Sequence, residues 1–145
     1  MTEQTITAAS SPTPASLQEA LVVLLIASAR ADGSVSLHEA NQIEHMVAGM
    51  KLFRGVNYET RQRVFTGASE RMAEHGAATV VPAAAAMVPK ELAATVLAVA
   101  VDLMLSDGHI SASEQEFVNT LSVLLNVDSE AVARIVDVLT IKNAG

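Results

Sequence analysis

The sequence predicts an all-α fold, a single domain of six to seven helices, and three observations carry that reading. Ser-x-x-Glu capping boxes stand before apolar stretches of helical spacing. No segment alternates apolar and polar residues with a β-rich composition. One element also occurs twice, 75 positions apart, each time between two apolar helical stretches. With 145 residues, 50% of them hydrophobic, the chain has the size and the apolar content of one cored domain.

Residues 1–15 hold Thr, Ser, Pro and Ala with one acid, Glu3, and read as a disordered N-terminal tail before a domain over 16–145. They lack the basic and apolar regions of a signal peptide. Ser16 and Glu19 then cap a helix carrying Leu17, Leu21, Leu24, Leu25 and Ser28. Asp32-Gly33 stops it, since glycine adopts the left-handed conformation cheaply. Ser36 and Glu39 cap a second helix with Leu37, Ile43, Met46, Val47 and Met50 at helical spacing. Lys51–Asn57 is a connection. Tyr58–Glu74 is a third helix, facing inward through Val64, Phe65, Ala68 and Met72, and Gly76 ends it.

Ala77–Val88 is rich in Ala and Val but contains Pro82. Proline disfavours helix at the preceding residue, so a short helix with Pro82 in its first turn is expected. The Ala83–Ala86 run lets backbones approach closely, and could equally border a small apolar cavity. Lys90–Ser106 is apolar on nearly all sides and is expected to be the central, most buried helix. Asp107-Gly108 stops it. Ser111 and Glu114 cap a helix with Phe117, Leu121, Leu124 and Leu125. Asn126–Ser129 turns the chain into a last helix, capped by Asp128, with Val132, Ile135, Val136 and Leu139.

Composition excludes several function classes. The net charge of −7 argues against a nucleic-acid binder, which needs a basic face. Without cysteine there is no disulfide, thiolate metal site or Cys nucleophile. One Tyr, three Phe and no Trp make a base-stacking platform unsupported. The apolar runs Ala20–Ala29 and Leu92–Leu105 fall short of the roughly 20 residues of a membrane span, and the second contains Asp102. A cytoplasmic protein without membrane insertion is expected.

The repeat pairs Ile26-Ala-Ser-Ala-Arg-Ala-Asp32-Gly33-Ser-Val35-Ser36-Leu-His-Glu39 with Val101-Asp-Leu-Met-Leu-Ser-Asp107-Gly108-His-Ile110-Ser111-Ala-Ser-Glu114. Both read apolar helix, Asp-Gly, a β-branched residue, Ser, two residues, Glu, then a second apolar helix. Two such hairpins predict a pseudo-two-fold core in which each buries its apolar face on the other.

These paired segments resemble the TerB-like family, whose hallmark is the Asp-Gly-x-apolar-Ser-x-x-Glu element after an apolar helix. Val88-Pro89-Lys90-Glu91-Leu92 and Leu124-Leu125-Asn126-Val127-Asp128-Ser129-Glu130 are family-like as well. The resemblance covers roughly Ser16 to Leu139. It implies an all-helical fold, a link to tellurite and general stress resistance, and an acidic site for a divalent metal. It implies no defined reaction.

The repeat also matches the second half of an EF-hand loop, through Asp107, Gly108, Ile110 and Glu114 or Asp32, Gly33, Val35 and Glu39. The first and third loop positions are then Leu103 and Leu105, or Ser28 and Arg30, which rejects a self-contained EF-hand. Two readings of Asp32, Glu39, Asp107 and Glu114 compete. As caps, Glu39 and Glu114 satisfy helix N–H groups with Ser36 and Ser111. As ligands, the four carboxylates converge on one divalent cation (Ca²⁺, Mg²⁺ or Zn²⁺) if the hairpins abut. Asp102, in an apolar helix, is either a further ligand or acid facing a pocket, or it lies at the helix's polar edge or pairs with an arginine such as Arg30.

His38 and His45 are seven apart and do not form the His-Glu-x-x-His zinc pattern; His109 sits in the second loop. The methionines at helical spacing read as core. There is no nucleophile elbow and no phosphate-binding glycine loop, so no catalytic or cofactor-binding residues are assigned and a non-enzyme is expected. The leading reading is a stress-resistance binding module whose acidic loops recruit a divalent cation or a basic partner protein. A small-molecule carrier or sensor with an apolar pocket is the alternative. A homodimeric helical scaffold is a third.

Overall fold

The computed structural model describes residues 11–30, 35–106 and 108–145. Among them are seven α-helices and no strand: α1 (Leu17–Ala29), α2 (Leu37–Ala48), α3 (Tyr58–His75), α4 (Ala77–Met87), α5 (Ala93–Leu105), α6 (Ala112–Leu125) and α7 (Ser129–Lys142). Short 3₁₀ turns at Lys51–Phe53 and Lys90–Leu92 link α2 to α3 and α4 to α5.

The most enclosed helix is α1, which corrects the expectation for Lys90–Ser106. Every residue from Glu19 to Ala29 is buried, whereas α5 leaves part of its surface to solvent. The reason is topological. α1 packs against α2, α3, α4 and α5, and α5 carries α7 and α6 on its other sides. Side chains on opposite faces of α1, such as Leu21, Val23 and Leu25, are all covered. α7 packs mainly on α5 and buries no residue fully.

Local chemistry sets the ends of the elements. Ser36 and Ser111 open α2 and α6 with complete capping boxes. At α1 the box is half made. Ser16 Oγ accepts from Glu19 N at 3.1 Å, but the Glu19 carboxylate turns to Arg71 (2.5 Å) and to the Ala15 amide (3.2 Å). Arg71 also donates to the Ser11 carbonyl, and Pro14 is buried, so described contacts begin before Ser16. Asn126, at φ 59, ends α6, with Val127 N donating to Ser122 O and Asn126 N to Val123 O. This left-handed closure suits asparagine.

Pro82 lies in the interior of α4, not in its first turn. Its exposed ring sits outside, while Val80, Val81, Ala84 and Ala85 are buried. α4 packs on α1 with this face, and that burial outweighs the helix-breaking cost at Val81. Between α2 and α3, Arg61 holds Glu44 at 2.8 Å and donates to the Val56 carbonyl. The hydrogen bond with Glu44 raises the Arg61 pKa, against a smaller lowering by burial. No single helix among the described residues is long and apolar enough to cross a membrane.

Candidate functional site

The two repeated glutamates are held by the same local chemistry. Ser36 N donates to Glu39 Oε1 at 2.8 Å, and Glu39 N to Ser36 Oγ at 3.1 Å. Ser111 N donates to Glu114 Oε1 at 2.9 Å, and Glu114 N to Ser111 Oγ at 3.2 Å. Each reciprocal pair fixes a carboxylate at the first turn of its helix, where the helix dipole favours negative charge.

The α1–α5 contact brings the two hairpins together. Glu39 and Glu114 then line one small enclosed cavity with Ala29, Gln42, Leu103, Met104 and Ser106. A water's centre has about 10 Å³ in it, room for roughly one water or one ion. Glu114 is buried and Glu39 half-buried. Ser106 ties the repeats across the cavity: Gln42 Nε2 donates to its hydroxyl at 3.0 Å, and that hydroxyl donates to Leu103 O at 2.7 Å. Gln42 and Ser106 are the site residues that sequence reasoning missed. Their signals are spacing, since Gln42 is three residues after Glu39 on the same helix face and Ser106 directly precedes Asp107.

Asp32 and Asp107 lie outside the described residues. Asp102 lines the neighbouring cleft, which shares Gln42, Leu103 and Ser106 with the cavity. Its Oδ1 accepts from Asn143 Nδ2 at 2.8 Å and from Lys142 Nζ at 3.3 Å, both at the end of α7. Its partners are therefore in the last helix; Arg30 is not among them. His38 and His45 share this cleft of about 360 Å³. Among the described residues no group of three or more His, Asp or Glu side chains is arranged to hold a metal ion.

A second concavity lies where α3 meets α4. It is a mainly apolar groove of about 410 Å³ with Val81, Phe117 and Leu124 in its walls and Arg30 on its rim. The Ala83–Ala86 run does not form it. Ala84 and Ala85 are buried on the packed face of α4, and Ala77 and Ala78 line the groove instead.

The family model for TerB, described as tellurite resistance protein TerB, matches residues 18–137. The chain belongs to the TerB family. The match runs from α1 into α7 and so contains both hairpins of this TerB domain, both capping boxes and the cavity between them. No curated protein and no solved structure matches the chain.

Proposed function

We propose that this TerB-family protein is a non-enzymatic binding module that takes up one hard divalent cation between its two hairpins. The observation that carries the reading is the placement of Glu39 and Glu114 on one ion-sized cavity. Each glutamate uses Oε1 for its capping bond. An ionised carboxylate has two oxygens and about four acceptor sites, so capping through Oε1 leaves Oε2 for a cation, and the two readings that the sequence set against each other can both hold. The sequence reading adds Asp32 and Asp107, which lie outside the described residues, to the oxygen set. The polar groups on the cavity wall are carboxylate, amide and hydroxyl, and no imidazole is among them. That chemistry favours Ca²⁺ or Mg²⁺ over Zn²⁺. Binding would neutralise charge in an acidic chain and hold the hairpins together, changing the surface offered to a partner.

The test is an amide-NMR titration of chelator-treated protein with Ca²⁺, Mg²⁺ and Zn²⁺, paired with thermal unfolding. Saturable shifts at Glu39, Gln42, Ser106 and Glu114 are expected, with a melting point that rises with Ca²⁺ or Mg²⁺. The double variant Glu39→Gln, Glu114→Gln should lose both. An unchanged spectrum at millimolar metal overturns the reading and leaves both glutamates as helix caps.

A further inference from the structure

We propose that the groove at the α3–α4 corner is a binding site for a medium-chain aliphatic carboxylate, with its head on Arg30 and its tail along Val81, Phe117 and Leu124. The site is independent of the acidic cavity. Its α4 wall is short: Ala77, Ala78 and Pro82 leave a gap opposite Phe117 and Leu124 of α6, and Leu124 stays 36% exposed beside it. No acid lines it.

Charge complementarity identifies the head group. Arg61 and Arg71 are each paired with a glutamate. Arg30 is exposed, and its guanidinium has no hydrogen bond or ion pair among the described residues. An unpaired guanidinium at the edge of an apolar groove suits a carboxylate, which it binds through two parallel N–H bonds. Thr120, also on the lining, adds a hydroxyl. A volume of about 410 Å³ lies within the range of small-molecule sites.

The probe is decanoate, kept below its micelle-forming concentration and titrated into the full chain by amide NMR, with decanol and decylammonium as head-group controls. Decanoate should saturate with shifts at Arg30, Val81, Phe117 and Leu124. Arg30→Gln should weaken it about tenfold or more, as loss of a charge-assisted pair requires. Among the described residues Arg30 makes no side-chain bond, so that variant keeps the fold. Ala78→Phe, at an exposed position, should block the groove. Glu39→Gln with Glu114→Gln should leave decanoate binding unchanged, which separates this site from the cation site. The proposal is overturned if decanoate does not saturate, if decanol binds as tightly, or if Arg30→Gln changes nothing. A concentration-dependent dimer abolished by Ala78→Phe would assign the groove to a second copy of the chain and overturn it as well.

Discussion

Glu39 and Glu114 stand 75 positions apart in the chain and line the same cavity. Each occupies the third position of its helix and accepts a hydrogen bond from the backbone of its own capping serine. The repeat in sequence is thus a repeat in space, and the α1–α5 contact closes the distance between the copies.

The capping role of Glu114 and its proposed role as a ligand can be separated by substitution. Glutamine keeps the capping geometry, since Gln serves at this position of a capping box. Glu114→Gln should therefore cost less than about 1 kcal/mol of stability while removing the charge the proposed cation site needs. Glu114→Ala loses both functions, and Ser111→Ala should cost about 1 kcal/mol through the cap alone. Urea unfolding with and without Ca²⁺ measures each quantity. If Gln and Ala are equally destabilising in metal-free buffer, the cap is not what Glu114 contributes.

The Glu19–Arg71 pair is shorter and more buried than the Arg61–Glu44 pair. The Glu19 side chain is 7% exposed and that of Arg71 14%. Replacing Arg71 by Met leaves a buried carboxylate uncompensated, and such losses cost about 3–5 kcal/mol. Exchanging Glu19→Leu together with Arg71→Met removes both charges and should recover most of that loss. Chemical denaturation of the three variants gives the coupling. Arg71→Met should also increase amide exchange at Thr13 and Ala15, because Arg71 holds the Ser11 carbonyl. A double variant no more stable than Arg71→Met would remove the buried charge as the cause.

The helical class, the order of the elements and two of the three capping boxes were legible in the sequence. Caps and periodicity are local, and Ser36-x-x-Glu39 needs no tertiary information to form. Burial is not local. α5 is as apolar as α1, and only the packing order puts α1 at the centre. Glu19 looks like a capping glutamate until Arg71, 52 residues on, draws its carboxylate away. Asp102 was visible as an anomaly in an apolar helix, but its partners Lys142 and Asn143 come from α7, 40 and 41 positions later. In the candidate site the two glutamates could be read from the repeat. Their convergence depended on how the hairpins meet.

Gly76 offers a purely conformational test. It joins α3 to α4 at φ 82, ψ 148, and a Cβ placed there would meet nothing within 4 Å. The cost of Gly76→Ala is then backbone strain alone, since this conformation is reserved for glycine. A loss of about 1–3 kcal/mol is expected in urea unfolding. Gly49, outside the left-handed region at φ −90, is the control, and Gly49→Ala should change stability by less than about 1 kcal/mol. Equal effects at both positions would contradict the strain argument.

Asp102 closes the contact between α5 and the end of α7. The Lys142 side chain is 60% exposed, so its ion pair is screened and worth less than about 1 kcal/mol. The Asn143 bond at 2.8 Å is shorter and part-buried, and Asn143 also donates to Leu139 O, so it links α5 to the last turn of α7. Because α7 buries no residue fully, its last turn should open independently of the core. Asp102→Ala is therefore expected to leave global unfolding nearly unchanged and to accelerate amide exchange selectively over Thr140–Asn143. Native-state hydrogen exchange distinguishes the two levels. If Asp102→Ala instead lowers protection throughout α1 and α5, the residue holds up the core and is not merely a latch for the last helix.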